Sequence, residues 1–362
     1  MSKPEPTRVP RTVRRLLPLL CSLALSLAFT GGCTGPNPDQ AGDADLGPAM
    51  TEADLAGTGD NTDLQSSGDT DLGGNPGDTV AAECKNLATA LCGRLAKCSQ
   101  YLLRYYYGDE KTCTERLQLT CAPYVKLPGS SWTVERLKQC AAGYSTGTCD
   151  DYFAPGGPRA CQPVAGTLAD GAACAAGDQC KAAYCTNTAT GAGCGTCATP
   201  AKSGEACSAL KPCGLGLTCA SGRCAAQGGV GAACGTGAAP CKSGLYCKTG
   251  TCATALAAGA TCDPAAGVSG CDSLQGLFCG TTSRKCEAYK LANSGEACGT
   301  VMTSTVLCAA GGSCGGTGTN RKCAAAARDG EACGPTAGSA QCMSPAACTS
   351  AKCAVFDPST CK

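Results

Sequence analysis

The chain predicts a small disulfide-rich fold: a short helical domain stapled by cystines, followed by a tandem array of small irregular and β-hairpin disulfide modules. Three observations carry that expectation. There are 36 cysteines and 50 glycines among 362 residues. Large apolar side chains are scarce, with four Phe, one Trp and no Ile. From residue 168 onward the cysteines recur about every 30 residues, the mark of a repeat architecture. Units of that size fall below the roughly 40 residues at which a domain usually dispenses with covalent or metal support. Cross-links must therefore replace core burial, and cysteine at this density in an exported chain reads as disulfide. A bridge closing a loop of about 15 residues contributes on the order of 3 kcal/mol by restricting the unfolded chain.

Residues 1–32 have the layout of a signal peptide. Lys3, Arg8, Arg11, Arg14 and Arg15 precede the apolar run Leu16 to Phe29, and small residues stand before Cys33. The apolar run is too short to span a bilayer. The stretch Leu27-Ala28-Phe29-Thr30-Gly31-Gly32-Cys33 resembles the lipobox of bacterial lipoproteins, with Thr30 where that family usually has Leu. The resemblance implies cleavage before Cys33 and lipidation of its thiol. The alternative is an ordinary secretory cleavage after Ser26-Leu27-Ala28. Parity favours the lipobox, because cleavage there leaves 34 cysteines besides Cys33, whereas the other cut leaves an odd 35. Two or three acyl chains make release from a membrane negligible. In that family an Asp after the lipidated cysteine retains the protein at the inner membrane. Thr34 here implies the outer membrane, on its periplasmic or cell-surface face.

Residues 33–81 read as lipid anchor and acidic disordered linker. Between residues 34 and 83 there are eleven Asp or Glu and no Lys or Arg, the composition of a solvated spacer. A loose Asp-Leu repeat at Asp45, Asp54, Asp63 and Asp71 is too dispersed to assemble a calcium site. As a flexible coil the spacer would cover roughly 40 Å end to end.

Residues 82–161 have a helical rhythm. Cys84, Leu87, Leu91, Leu95, Cys98, Leu102 and Tyr105 step by three or four residues and predict one helix ending near Gly108. A second stretch carries Cys113, Leu117 and Cys121 before Pro123. A third carries Val134, Leu137 and Cys140 behind a Ser131 cap. The expectation is three short helices stapled through Cys84, Cys92, Cys98, Cys113, Cys121, Cys140, Cys149 and Cys161. Tyr101, Tyr105, Tyr106, Tyr107 and Trp132 are assigned to the core of this domain, with a contact surface as the alternative.

Residues 162–362 divide into six units, about 168–197, 201–224, 228–252, 256–286, 292–323 and 327–361. Each opens with Gly three residues before its first cysteine: Cys174, Cys207, Cys234, Cys262, Cys298 and Cys333. Second cysteines follow at Cys180, Cys213, Cys241, Cys271, Cys308 and Cys342, and third ones at Cys185, Cys219, Cys247, Cys279, Cys314 and Cys348. Closing cysteines stand at Cys197, Cys224, Cys252, Cys286, Cys323 and Cys353. Segments such as Cys219-Ala220-Ser221-Gly222-Arg223-Cys224 predict tight hairpins that turn on Gly. Cys194 and Cys361 are supernumerary, so either a long-range bridge joins two units or two thiols stay free. Within a unit, four cysteines allow three pairings, and spacing does not choose among them.

These units resemble the cysteine-rich N-terminal module of the Dickkopf family and related EGF-like knots, most closely over Gly171 to Cys197 with Tyr184-Cys185 and Cys194-Gly195-Thr196-Cys197. By analogy with EGF-like modules, the resemblance implies crossed pairing, first to third and second to fourth. The whole arrangement is also similar to cysteine-rich lipoproteins of social Gram-negative bacteria.

Histidine is absent, which excludes Ser-His or Cys-His nucleophiles and every His ligand. Glu205, Glu296 and Glu331 recur with the repeat, as solvated turn residues do, and not as one focused catalytic pair. Phosphate loops and dinucleotide fingerprints are missing, and Gly311-Gly312-Ser313-Cys314-Gly315-Gly316 reads only as a glycine-rich loop. No catalytic residue, cofactor or metal ligand is therefore assigned. Thiolate metal binding is the least favoured alternative, since only Cys194 and Cys197 form Cys-x-x-Cys. From residue 84 the chain carries 24 basic and 16 acidic side chains without the stripe nucleic acid requires. The expected function is non-enzymatic: an anchored rod of disulfide modules whose loops bind an unspecified protein or polysaccharide at the cell surface. A protease inhibitor is the alternative.

Overall fold

The computed structural model describes residues 76–187, 193–208, 211–265, 269–301, 304–318, 320–334 and 339–362. The signal peptide, Cys33 and the acidic spacer as far as residue 75, with Asp45, Asp54, Asp63 and Asp71, lie outside them.

Five helices make the N-terminal hub: α1 (Pro76–Cys98), α2 (Gln100–Tyr106), α3 (Glu110–Val125), α4 (Val134–Thr146) and α5 (Cys149–Phe153). Helix α1 is its axis and packs on α3 and α4. Its predicted stripe is buried, with Cys84, Leu87, Leu91 and Leu95 each at 2% exposure or less. The helix starts at Pro76, ahead of the expected boundary at 82. Proline suits a first helical position, where its missing N–H would be unpaired anyway.

The helix expected to run to Gly108 is instead broken at Ser99, whose extended backbone and hydroxyl, accepting from Leu102 N at 2.9 Å, cap α2. Helix α3 does not stop before Pro123 but holds it in its last turn, at the expense of one i to i−4 hydrogen bond. The cap of α4 is Thr133, which accepts from Arg136 N at 3.2 Å. Ser131 instead accepts from Arg136 Nη1 and donates to Val164 O. Helix α5, absent from the three-helix expectation, is short and held by a Thr148–Asp151 capping box. Cys84–Cys121 and Cys92–Cys113 tie α1 to α3, Cys98–Cys149 ties α1 to α5, and Cys140–Cys161 ties α4 to a following 3₁₀ turn. Trp132 and Tyr107 are in the hub core. Tyr106 packs half-buried against that core, but Tyr101 and Tyr105 lie outside it: the Tyr101 ring stacks on Tyr289 at 6.2 Å, and Tyr289 stacks on Phe278 at 4.6 Å, joining the hub to the fourth repeat.

The six repeats share one build. In every one the third and fourth cysteines face each other across an antiparallel hairpin, as Cys219 faces Cys224 and Cys348 faces Cys353. The opening Gly, at φ between +78° and +88° in all six, donates its N–H to the carbonyl of the closing cysteine at 2.7–2.8 Å. Only Gly takes that backbone without strain. The residue after the hub or preceding unit enters beside the second cysteine in a parallel bridge, as Leu168 beside Cys180 and Ala201 beside Cys213.

The repeats do not form the expected rod. They wrap the hub, each docking on it in turn. Ser131 N donates to Asp178 O at 3.0 Å in the first repeat, and Leu215 of the second lies over Gly156, where a Cβ would come within 2.8 Å of it. Ser243 Oγ of the third donates to Phe153 O at 3.2 Å, and Gln275 Nε2 of the fourth to Cys98 O at 2.7 Å. Ser99 Oγ also donates to Leu274 O. In the fifth, Ala310 N donates to Arg104 O at 2.9 Å and Gly311 N to Tyr105 O at 2.7 Å. Arg116 of α3 grips the sixth, through Asp329 and the carbonyls of Met343 and Ser344. The physical reason lies in the hub: α1, α2 and α5 end in carbonyls that lack intrahelical partners, and repeats three to five supply the donors.

Candidate functional site

All 34 cysteines from Cys84 to Cys361 are paired, in 17 disulfides. Each repeat is crossed, first to third and second to fourth, from Cys174–Cys185 with Cys180–Cys197 to Cys333–Cys348 with Cys342–Cys353. Crossing brings sulfurs together: those of Cys174, Cys180 and Cys197 lie within 4.8 Å of one another, as do corresponding trios in other repeats. Such a trio has the spacing of a thiolate metal site, but each of its sulfurs is already bonded to another sulfur, so metal binding would first require reduction.

Cys194 and Cys361 bond to each other across a sequence separation of 167, which closes the repeats into a ring. The seam is apolar. Tyr124 and Leu127 of the hub and Ala175 and Ala176 of the first repeat are buried there against Phe356 and Cys361 of the tail.

Docking fixes which loops face inward. In repeats two to six the loop between the second and third cysteines meets the hub, through Leu215, Ser243, Leu274 to Gly276, Ala310 to Gly311, and Met343 to Ser344. The hairpin tips between the third and fourth cysteines are exposed, as at Ser221 to Arg223, Lys248 to Thr251 and Ser350 to Lys352. Two tips turn through consecutive residues of positive φ, Ser221-Gly222 and Thr249-Gly250, the backbone of a tight hairpin turn.

The recurring carboxylates are turn caps. Glu205, Glu296 and Glu331 each accept from the backbone N–H three residues earlier, at 3.0, 2.6 and 2.7 Å, inside their own opening turns. Backbone donation from Lys202 lowers the Glu205 pKa.

One polar cluster is deeply buried, where the first repeat meets the hub. Asp178 is fully buried, accepts from Ser130 Oγ at 2.8 Å, and its pKa is raised by burial against the pull of Ser130 and Arg136. Arg136 lies 4.0 Å over the Trp132 ring and donates to Gln162 O at 2.8 Å, and burial brings its pKa down to about 10. Arg136 Nε and Asp178 Oδ1 are without hydrogen-bond partners among the described residues. Ser130 Oγ and Ser131 N, both bonded to Asp178, seat the first repeat, while the contacts of Arg136 with Trp132, Ser131 and Gln162 hold the segment that carries them. A shallow, mostly apolar depression between the first two repeats is lined by Ala182, Pro200 and Leu217, with Thr199, Lys202 and Ser203 as its polar residues.

The architecture defines a class: a disulfide-stapled repeat protein of the kind built for oxidising, extracellular surroundings. Among the described residues, no helix is long and apolar enough to cross a membrane. Comparison with protein-family models, curated proteins and solved structures gives no match.

Proposed function

We propose that the chain is an exported, lipid-anchored, non-enzymatic display module, held at the outer membrane through Cys33 and presenting the hairpin tips of its ring to a partner at the cell surface. The observation that supports this most is the common docking mode: five repeats spend the same loop on the hub and leave the same hairpin outward. A helical hub with every cysteine paired serves to hold loops in fixed positions. The absence of histidine and the capping duty of the recurring glutamates support a non-catalytic role.

The test is the intact mass of the protein extracted from native membranes and alkylated without reduction. The expected mass is that of residues 33–362 plus acyl chains, with no alkyl group added. An unlipidated chain starting at Phe29 and carrying one alkyl group on a free thiol would refute the anchor. A chain carrying many alkyl groups would refute the disulfide scaffold itself.

A further inference from the structure

Between the third and fourth cysteines of all six repeats there is no Asp, no Glu, no aromatic residue and no Val, Leu or Met, while seven Lys or Arg occur there. This regularity is invisible in the overall charge, which is only +1. Strand register sharpens it. Arg223, Lys285, Lys322 and Lys352 each stand immediately before the closing cysteine, and in the third repeat Lys248 pairs directly with Thr251, which has that position. Repeats two to six therefore each present one cation on the same rung of the hairpin. All five are exposed, and none belongs to an ion pair among the described residues. The other two have structural duties: Arg284 pairs with Asp263 at 3.6 Å and Arg321 donates to Cys314 O at 3.1 Å; of the five on the rung, Arg223 also donates through Nη1 to Gly204 O at 2.8 Å, which fixes its position without neutralising its charge. The nearest recurring acids, Glu205, Glu296 and Glu331, are folded back onto their own turns.

We propose that the outward hairpin tips form a multivalent binding face for an acidic polysaccharide. This rests on the display reading above and names its partner. Charge complementarity selects a polyanion, and the rest of the tip selects which one. Thr249, Thr251, Thr281, Thr282, Thr349 and Ser350 place hydroxyls beside the cations, suited to carboxylate and sugar hydroxyl groups, while Ser221 and Ser283 are engaged by Gly237 O and Lys285 N. Insertion into a bilayer requires apolar side chains, which the tips lack. Stacking on nucleic-acid bases requires aromatic ones, also lacking. A single exposed cation contributes little, but five on one cross-linked frame engage a repeating polymer together, each contact raising the effective concentration for the next.

The experiment measures binding of the purified full chain to alginate, with neutral dextran, duplex DNA, and phosphatidylglycerol against phosphatidylcholine vesicles as comparisons. Alginate should bind and dextran should not. Affinity should fall about 100-fold between 50 and 200 mM salt if all five cations are engaged. The variant R223Q/K248Q/K285Q/K322Q/K352Q should lose about 30-fold or more, whereas the charge-matched hub variant K85Q/K97Q/K111Q/K126Q/K138Q should stay within about threefold of the parent. Alkylation without reduction checks that every bridge survives in both variants. Failure to bind alginate, an equal loss in the hub variant, or tighter binding of DNA or of phosphatidylglycerol vesicles overturns the assignment. A protein that carries acyl chains yet ignores alginate sinks the polysaccharide alone, while a protein without them sinks the anchored display.

Discussion

Replacing Cys194 and Cys361 together with Ser opens the ring without leaving a free thiol, and the effect on stability can be worked from the bridge map. In the unfolded chain the closing bridge spans 167 residues, but the first-to-third bridges of repeats two to six provide short cuts of 12, 13, 17, 16 and 15 residues, leaving a shortest path of about 94. In the chain-entropy account a loop of that length corresponds to about 4.7 kcal/mol at 25 °C. The same treatment of Cys207–Cys219, with a separation of 12, gives about 2.8 kcal/mol. These two are suitable to compare because neither has a fully buried cysteine, so cavity effects are small in both. The assay is urea unfolding without reductant, followed by tyrosine and tryptophan fluorescence, for the parent and the two double-serine variants. The ring-opening pair should be the more destabilised by about 2 kcal/mol, with a steeper urea dependence because its unfolded state expands further. If opening the ring costs no more than opening the local loop, the closing bridge does not constrain the unfolded chain and the reasoning fails.

Arg116→Lys should loosen the sixth repeat by about 2 kcal/mol, since Lys cannot reproduce the two-oxygen grip on Asp329 together with the two carbonyls; faster hydrogen exchange confined to residues 326–346 would show it. The Asp329 carboxyl is held below its ordinary range by Arg116, so this clamp is at full strength above the ordinary carboxylate pKa and is lost as pH falls through the depressed value, a dependence R116K should flatten. Asp178 has the opposite sign: burial raises its pKa, so its contribution is greatest below the unfolded carboxylate pKa and is lost as pH rises through the folded value. Asp178→Asn should remove that slope from urea midpoints taken between pH 4 and 8, and an unchanged slope would place it elsewhere. Gly204→Ala meets nothing within 4 Å of its new Cβ but must hold φ at +81°, so it should cost about 1 kcal/mol from backbone strain alone, read as a shift in thermal midpoint with all bridges intact.

Much of the local architecture was legible because cysteine and glycine report directly on backbone. The Gly before each first cysteine and the short interval before each closing one marked the hairpins, and the odd Cys194 and Cys361 announced that a long-range bridge was one of two outcomes. Crossed pairing came only through analogy, since spacing permits three pairings alike. What remained hidden was tertiary. The repeats attach to carbonyls of Cys98, Arg104, Tyr105 and Phe153, and every residue type has a carbonyl, so no letter marks those sites. Ser99 and Thr133 act as caps because of where neighbouring elements press, while Ser131, an equally good cap by type, is taken by Arg136. The cationic rung is hidden in the sequence for a related reason. Lys248 aligns with Arg223 and Lys352 only once the strands are paired, because it lies on the other arm of its hairpin.

The crossed bridges also decide what a cut would do. Sever any hairpin between its third and fourth cysteines and both new ends stay tethered, one through the first cysteine of that repeat and the other through the second. Sever one linker between repeats and the pieces remain joined, because the chain still runs the other way round through Cys194 and Cys361. Releasing a repeat from the ring takes two breaks in different linkers, whereas the hub, whose four bridges are all internal, is joined to the ring by the single stretch between Cys161 and Cys174. A molecule of this topology can be nicked repeatedly at its most exposed points and still travel as one covalent body.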